Sequence, residues 1–389
     1  MSLLEKAVDS MKKIFPEVPW KVRLSYHGQS RSFGSGVERT WIDFHHPAPL
    51  RRLAWYDIAG FLDHYVAGRA DLNGDIYGFV GLRMHVKRHE DWTVDAFRKI
   101  RFVGTTLFPS SVRRKLVAVS SHYDLPNEFI LSYLDQRTRA YSCAMWKDAD
   151  NVAFPEDEPL EDAQHRKFHQ AASALELQPG DKFLDIGCGY GYMVNLAERE
   201  FGVKDALGIT LSRNQVEQGY SKSMRLAHYY ELPAEGAYDK IFTCGMVSHL
   251  DRSEIERYYR HVYGLLKSGG RLWMHGIVPP ALSASVTNYT TISGTFSQRY
   301  VFPDHYQFPV HEHLKVMEKI GFRVREVRFK YGHYAKTLRH WYKRYLENLP
   351  NTRPLINPTI ERAWHLFLTY GSVVDGPWSI IKQILATKD

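Results

Sequence analysis

The sequence is poor in cysteine and has no long hydrophobic run. Its 389 residues include three cysteines, at positions 143, 188 and 244, without CxxC or Cys/His ligand spacing. The sequence therefore suggests neither a disulfide framework nor a zinc site. No segment approaches the roughly 18 apolar residues needed to cross a bilayer, and the N-terminal residues lack the apolar stretch of a signal peptide. These absences predict a cytoplasmic protein in a reducing compartment.

Charge is the main compositional bias. The formal net charge is +8 and the pI is about 9.1. This balance favours an anionic partner, such as nucleic acid or an anionic membrane surface, without choosing between them. General basicity with no specific partner is an equal alternative. The contents of 44% hydrophobic and 24% charged residues are typical of a soluble globular protein, and the length allows a catalytic domain of about 250 residues plus a smaller companion.

The N-terminal ninety residues predict a small α+β domain. Strand-like alternation covers residues 20–26 and 40–44, helical periodicity covers 50–65, and residues 68–81 favour turns and short strands. A basic segment follows, and we expect residues 91–120 to form a basic linker. Residues 121–389 remain for a larger domain.

That larger region predicts an alternating α/β series. The predicted elements are a helix at 161–175, a strand at 182–186, a helix to 201, a strand at 206–210, a helix from 212, a strand at 240–244, a helix at 252–266 and a strand at 270–275. Such alternation indicates a parallel, doubly wound sheet with helices on both faces.

A glycine motif lies where the first of these strands meets the following helix. It reads Asp185-Ile-Gly-Cys-Gly-Tyr-Gly191. Glycine allows positive φ and close approach of a ligand, and a carboxylate at a strand end accepts hydrogen bonds from a cofactor amine. A glycine turn that serves only packing is the plain alternative. NAD binding is disfavoured, because the next strand ends in Gly208-Ile-Thr-Leu-Ser212 without the carboxylate that dinucleotide sites use.

Further motifs occur in order along the chain. They are His122-Tyr-Asp-Leu125, Tyr141-Ser-Cys-Ala-Met-Trp146, the glycine motif, Thr210-Leu-Ser-Arg-Asn-Gln215, Gly245-Met-Val-Ser-His249, Tyr300-Val-Phe-Pro303 and Tyr334-Ala-Lys-Thr-Leu338. With these motifs the sequence resembles the cyclopropane-fatty-acid synthase family, which includes mycolic-acid cyclopropane synthases and methyltransferases. The resemblance implies a Rossmann-like α/β class I S-adenosylmethionine (SAM)-dependent methyltransferase domain. It also implies a smaller N-terminal α+β lipid-binding domain, like that of the phospholipid-acting members.

The resemblance assigns the cofactor site residue by residue. Tyr141 and Ser142 are expected to close over the methionine end of SAM, and an adenine-framing pair falls near His228 and Tyr229. His228 departs from the acidic or amide residue of many members, and Tyr229 as plain core is the alternative. The other residues implied to bind the cofactor are Asp185, Gly187, Gly189, Gly191, Thr210, Leu211 and Gln215.

The family's reaction starts when a cis alkene of an acyl chain attacks the sulfonium methyl. The resulting carbocation loses a methyl proton to a bound bicarbonate, and the cyclopropane ring closes. The resemblance places Cys143, His275, Ile277 and Tyr334 on four positions that hold this anion. At the fifth position Ser248 replaces the family glutamate, and serine cannot act as a carboxylate. We expect bicarbonate to bind in a wider pocket; the alternative is a methyl-branched or methylenated product, or C-methylation of another small molecule.

The expected partners are unsaturated phospholipid acyl chains and an anionic membrane surface. Two basic clusters, at residues 83–115 and 339–344, could each attract such a surface by about 1 kcal/mol per residue, although a solvated helix face is an equal alternative for each. We therefore expect peripheral attachment to the inner face of the membrane and, by analogy with two-domain members, a homodimer. A lipid-binding protein without turnover is a further alternative. Nucleic acid is not an expected partner, because the sequence contains no RNA-binding module.

Overall fold

The structure is a computed structural model that describes residues 1–85, 125–149, 158–278, 300–302, 308–372 and 380–389. The chain divides into two compact units. The first comprises Met1–Pro126, Ser283–Pro303 and Leu346–Val374, and the second comprises Asn127–Leu282, Asp304–Tyr345 and Asp375–Asp389. This division adds two later stretches to the N-terminal unit, which the predicted boundaries of 1–90, 91–120 and 121–389 do not include. The predicted basic linker lies outside the described residues.

The first unit contains a four-stranded sheet with helices packed against it. Its strand order is β2-β1-β3-β4, with β1 and β3 parallel and the other pairs antiparallel. The strands are β1 (Lys21–Tyr26), β2 (Gln29–Phe33), β3 (Glu38–Phe44) and β4 (Ala70–Gly74), and the helices are Leu3–Ile14, Pro47–Ala54, Ile58–Val66, Ile76–Val80 and Pro358–Tyr370. The first helix begins with a capping box, in which the amide of Glu5 donates to Ser2 Oγ and the amide of Ser2 donates to Glu5 Oε2.

Two helices occupy the stretch where the sequence predicts one over residues 50–65. Helix Pro47–Ala54 ends in a Schellman motif, because the amide of Tyr56 donates to the Leu53 carbonyl and that of Asp57 to the Arg52 carbonyl. Tyr56 takes the left-handed position of this motif, with φ 58°. Glycine is usual there, and a side chain costs about 1 kcal/mol. The apolar periodicity continues through the corner, so it did not reveal the break.

The second unit is a mixed seven-stranded sheet covered by helices. Its order is β10-β11-β9-β8-β5-β6-β7; β5 to β9 are parallel, and β11 is antiparallel to both of its neighbours. The strands are β5 (Lys182–Ile186), β6 (Asp205–Thr210), β7 (Met224–Leu226), β8 (Tyr238–Cys244), β9 (Leu266–Val278), β10 (Phe322–Lys330) and β11 (Ile380–Lys388). The helices are Asn127–Leu131, Leu160–Leu175, Tyr192–Glu200, Arg213–Glu217, Ile255–Leu265, Val310–Ile320 and the part of His333–Thr352 up to Tyr345. The predicted α/β class is confirmed, and β7, β10 and β11 are additional to the predicted strands.

Alternate residues of β5 enter two separate cores. Phe183 packs with helices Leu160–Leu175 and Tyr192–Glu200, whereas Leu184 packs with helices Ile255–Leu265 and Val310–Ile320. Strand β5 pairs with β6 on one side and with β8 on the other. The chain order therefore reverses at the carboxyl end of β5, which is where open α/β sheets bind ligands. Within the described residues, none of the helices has the length and apolar character of a membrane span.

Candidate active site

The glycine motif forms a loop that is tied to the neighbouring strand β6. The amides of Gly187 and Cys188 both donate to the Ile209 carbonyl, at 3.0 and 2.9 Å. Gly187, Gly189 and Gly191 have φ values of 79°, 56° and 76°, a region that side chains disfavour. The loop thus places exposed backbone at the switch point of the sheet.

Gly189 and Gly191 provide a matched test of this loop. A Cβ atom on Gly189 would meet nothing within 4 Å, whereas one on Gly191 would lie 2.3 Å from Met224 Sδ. We expect Gly189→Ala to fold with a stability loss of about 1 kcal/mol and to weaken SAM binding, because the methyl group enters space left for a ligand. Gly191→Ala is expected to destabilise the domain by more, about 2 kcal/mol. Urea unfolding and SAM titration of both variants check this, and equal stability losses would contradict it.

Asp185 lies buried at the end of β5 with an unused acceptor. Asp185 is only 2% exposed, and its Oδ1 has no hydrogen-bond partner among the described residues. Burial raises the pKa of the Asp185 carboxyl well above its usual range, and the charge of Lys167 opposes this rise. A buried carboxylate oxygen without a partner fits the amine of SAM, so the residues present are compatible with this cofactor.

Lys167 is a site residue that sequence reasoning missed. It is 1% exposed, and its Nζ donates to Ser142 Oγ and to Gln164 Oε1, both at 2.6 Å. Gln164 Nε2 donates in turn to the Ser142 carbonyl at 2.8 Å. The available signal was a polar pair three residues apart within the buried stripe of helix Leu160–Leu175. These bonds fix the backbone and hydroxyl of Ser142.

Tyr141, next to Ser142, belongs to an aromatic cluster. Its ring centroid lies 6.1 Å from that of Tyr133 and 5.4 Å from that of Trp341. Trp341 also contacts Tyr334, at 6.4 Å. The predicted cofactor residue Tyr141 and the predicted anion-site residue Tyr334 are therefore neighbours of one tryptophan.

The predicted ribose residues lie at the end of β6. Thr210 Oγ1 donates to Gln215 Oε1 at 2.7 Å, and the amide of Gln215 donates to Ser212 Oγ at 3.3 Å. Leu211, between them, is 52% exposed. The structure thus brings Thr210 and Gln215 together and presents Leu211 to solvent.

His228 caps the short helix that carries Tyr229. The amide of Tyr230 donates to His228 Nδ1 at 3.2 Å, and the amide of His228 donates to Glu231 Oε1 at 2.9 Å. Acidic and amide residues cap helices in the same way, so histidine preserves this local role. The His228 and Tyr229 rings lie 4.2 Å apart, and Tyr229 is buried against Tyr258. The buried position of Tyr229 is compatible with the predicted adenine contact and also with the alternative that it is a core residue.

Three of the predicted anion-site residues meet in one apolar cluster. Cys143, Met145 and Ile381 form its buried centre, and Ile277 and Tyr334 pack against it. Burial raises the pKa of the Cys143 thiol, so the group stays protonated and a nucleophilic role is disfavoured. The cluster provides apolar walls beside the Tyr141–Trp341 contact.

His275 lies on β9, two residues before Ile277. Gln383 Nε2 is 3.4 Å from His275 Nδ1, and His275 Nε2 is buried without a hydrogen-bond partner. Burial and the charge of Lys167 hold the pKa of the His275 imidazole well below its usual range. The ring is therefore neutral, with one nitrogen available for a ligand.

Ser248 lies in the short turn Met246–His249 and is 5% exposed. The amide of Ser248 donates to the Gly245 carbonyl at 3.2 Å, and the amide of Gly245 donates to the His275 carbonyl at 2.9 Å. The turn is thus fixed to the strand that carries His275. Of the other predicted motifs, residues 122–124 and 303 lie outside the described part of the chain.

The sheet order, the buried carboxylate at the end of β5 and the adjoining glycine loop define a class I SAM-dependent methyltransferase. The model of the mycolic acid cyclopropane synthetase family matches residues 110–374, which is more than half of the chain. The protein belongs to this family.

Curated relatives agree with this assignment. A probable fatty acid methyltransferase of Pseudomonas putida is 32% identical over 70% of this chain and 69% of its own length. Sphingolipid C9-methyltransferase 1 of Gibberella zeae is 28% identical over 81% of this chain, but the match spans only 62% of that protein. Cyclopropane-fatty-acyl-phospholipid synthase of Escherichia coli K12 is 28% identical over 69% of this chain and 67% of its own length.

Solved structures show the same fold. The mycolic acid cyclopropane synthase CmaA1, complexed with SAH and CTAB, superposes with a TM-score of 0.62 at 24% identity, covering 70% of this chain and 98% of that chain. The cyclopropane synthase MmaA2 from Mycobacterium tuberculosis gives a TM-score of 0.61 at 24% identity, covering 69% and 97%.

Proposed function

We propose that this protein transfers the SAM methyl group to a cis double bond in an unsaturated phospholipid acyl chain and yields a cyclopropane fatty acid. SAM supplies an electrophilic methyl group on a sulfonium. The alkene carbon forms a bond to this methyl as the carbon–sulfur bond breaks, so the products are S-adenosylhomocysteine and a carbocation. Loss of one methyl proton to a base then closes the ring.

The observation that carries this proposal is the cluster of Cys143, Ile277 and Tyr334 beside a neutral His275. A carbocation needs walls that exclude water, because water would convert it to an alcohol. The apolar side chains of Met145 and Ile277 supply such walls. The unused Nε2 of His275 fits a hydrogen bond to bicarbonate, and bicarbonate is the base that accepts the methyl proton in this proposal. The buried thiol of Cys143 keeps its own proton.

A methyl-branched or methylenated product is the second candidate, and Ser248 favours it. The resemblance places a glutamate here, and the buried Ser248 hydroxyl cannot act as a carboxylate that fixes or shuttles the proton lost in ring closure. Relatives with methyltransferase names support this alternative as well. The two candidates share the first step. A methyl-branched alkene forms when a chain proton leaves the cation instead of a methyl proton. A methylene forms when a 1,2-hydride shift first moves the cation to the methyl-bearing carbon and a methyl proton then leaves.

The decisive experiment incubates the protein with SAM and vesicles of an unsaturated phospholipid. We expect release of S-adenosylhomocysteine and a mass gain of one CH2 unit per acyl chain. A ring resists ozone, whereas a methylene or a displaced double bond is cleaved. SAM binding without any carbon transfer to unsaturated phospholipids would overturn the proposal.

Ser248→Glu tests the missing carboxylate. Because the resemblance puts this position at the proposed anion site, the added negative charge should repel bicarbonate, and we expect the concentration of bicarbonate for half-maximal activity to rise by about fivefold. The ratio of ring to unsaturated product should rise as well. Activity is measured in carbonate-free buffer with added bicarbonate, and Ser253→Glu, on the exposed turn before helix Ile255–Leu265, is the matched control. Identical bicarbonate dependence in both variants would contradict the assignment of Ser248.

A further inference from the structure

The two basic clusters predicted from sequence offer little exposed charge in the described residues. Most of residues 83–115 lie outside them. In the other cluster Arg344 donates to the Leu134 carbonyl at 3.1 Å and forms an ion pair with Glu161 at 2.9 Å. Lys343 is the exposed member. A different basic surface is present in the first unit.

Trp55 is exposed to solvent at the corner between helices Pro47–Ala54 and Ile58–Val66. It is 79% exposed, although tryptophan is highly buried on average. Its amide caps the C-terminus of helix Pro47–Ala54 by donating to the Arg51 and Arg52 carbonyls at 3.1 and 3.2 Å. The corner keeps Tyr56 in the left-handed position that favours glycine. Tyr56 is half-buried, so Trp55 is the exposed aromatic ring at this strained corner, and backbone strain of this kind clusters at functional sites.

Basic side chains surround this corner. Helix Leu3–Ile14 contacts it through Ser10 Oγ, which donates to the Ala54 carbonyl at 2.8 Å. Lys6 and Lys13 lie four residues before and three residues after Ser10, on the same side of that helix. Both lysines are exposed, as are Arg51 and Arg52 beside Trp55.

Few acidic groups oppose these charges. Arg52 Nη1 pairs with Asp57 Oδ2 at 3.1 Å, and Glu5 lies 3.6 Å from Arg31. Lys6, Lys13 and Arg51 have no ion pair among the described residues, and the two acids of helix Leu3–Ile14, Glu5 and Asp9, are both half-buried. The corner therefore presents one large aromatic ring within a positive surface.

We propose that the Trp55 corner, defined as Trp55 with Lys6, Lys13, Arg51 and Arg52, docks on the surface of an anionic phospholipid bilayer. This inference rests on the proposed function, because the bilayer carries the acyl substrate. Tryptophan favours the boundary between headgroups and acyl chains, since its ring is apolar and its N–H is polar. Lysine and arginine are attracted to anionic headgroups. Charge and ring together fit a lipid surface better than a protein groove.

The test measures binding of the full chain to vesicles by sedimentation. The vesicles contain phosphatidylcholine alone or phosphatidylcholine with phosphatidylglycerol. Trp55→Ala is expected to lower the partition coefficient by about tenfold. The triple variant Lys6→Gln, Lys13→Gln, Arg51→Gln is expected to lower binding to the anionic vesicles by at least about tenfold and to remove most of its salt dependence. Val37→Ala, at an equally exposed apolar residue (79%) in the turn between β2 and β3, is the matched control and should bind as the unmodified protein does.

Activity separates this inference from the proposed function. Trp55→Ala should slow turnover of vesicle phospholipid and leave turnover of the same lipid in detergent micelles unchanged. Vesicle binding that depends on Trp55 supports the surface even if no lipid is methylated. Unchanged vesicle binding by a folded Trp55→Ala variant would overturn the proposal, and so would a change of oligomeric state in sedimentation velocity without a change in lipid binding.

Discussion

Asp185→Ala is expected to lower the affinity for SAM by about 100-fold. The substitution removes a buried acceptor whose Oδ1 has no other partner in the described structure. A hydrogen bond to a charged group contributes about 1.5–3 kcal/mol, and every 1.4 kcal/mol is about tenfold in affinity. Titration calorimetry with SAM and with S-adenosylhomocysteine measures the loss, which should affect both ligands because both carry the amine.

Asp205→Ala is the matched control for this loss. Asp205 begins the neighbouring strand β6, where its side chain is 65% exposed and forms a surface pair with Lys182 at 3.7 Å. Such pairs contribute little, so we expect unchanged affinity. A folded Asp185→Ala variant that binds SAM as tightly as the Asp205→Ala control would refute the role assigned to Asp185.

We expect the same carboxyl to make SAM binding depend on pH. Burial raises the pKa of Asp185 well above its usual range, whereas the cationic amine of SAM is expected to bind the ionised form. Affinity should therefore increase as the pH rises through that raised value, and Asp185→Asn should lack this increase. In the free protein the folded state keeps a proton that the unfolded chain releases, so the contribution of Asp185 to stability falls as the pH rises across the same interval.

Local apolar spacing in the sequence predicts part of the fold. The run of buried residues in β5 and the periodicity of helix Leu160–Leu175 both follow from apolar spacing. Strand β11 does not, because Lys382 and Gln383 interrupt its centre and suggest a surface. Both are fully buried there, held by pairing with β9 on one side and β10 on the other. Tertiary pairing outweighs the local pattern in that strand.

The candidate site also has a part that the sequence predicts and a part that it does not. The loop from Asp185 to Gly191 is contiguous, so its spacing and backbone requirement can be read directly from the sequence. Contacts between distant segments cannot, because no periodic pattern encodes them. Thr337 Oγ1 accepts from the amide of Ala144, 193 residues away, and Gln383 meets His275, 108 residues away. The family resemblance supplied His275, but it gave no indication of the side chains that orient it.

Lys167→Met is expected to weaken SAM binding by about tenfold and to shift its pH dependence upward. Methionine is close to lysine in length but cannot donate to Ser142 Oγ, and one lost hydrogen bond to a charged group accounts for about this change. The charge of Lys167 lowers the pKa of Asp185, but the Lys167 nitrogen does not come within 4.0 Å of an Asp185 oxygen to form an ion pair. The carboxylate oxygens therefore stay available to a ligand. Without that charge the pKa of Asp185 rises further, and the pH at which affinity reaches half its maximum should rise with it.

Gln164→Leu separates charge from positioning at Lys167. It removes the acceptor at 2.6 Å from Lys167 Nζ and the donor to the Ser142 carbonyl, while the lysine charge remains. We expect weaker SAM binding with an unchanged pH midpoint, because the groups on which the Lys167 charge acts keep their surroundings. These groups are Asp135, Cys143, Asp185, Cys244 and His275. If both variants moved the midpoint equally, or neither weakened binding, Lys167 would be an ordinary core residue and the electrostatic support of Asp185 would have to come from elsewhere in the domain.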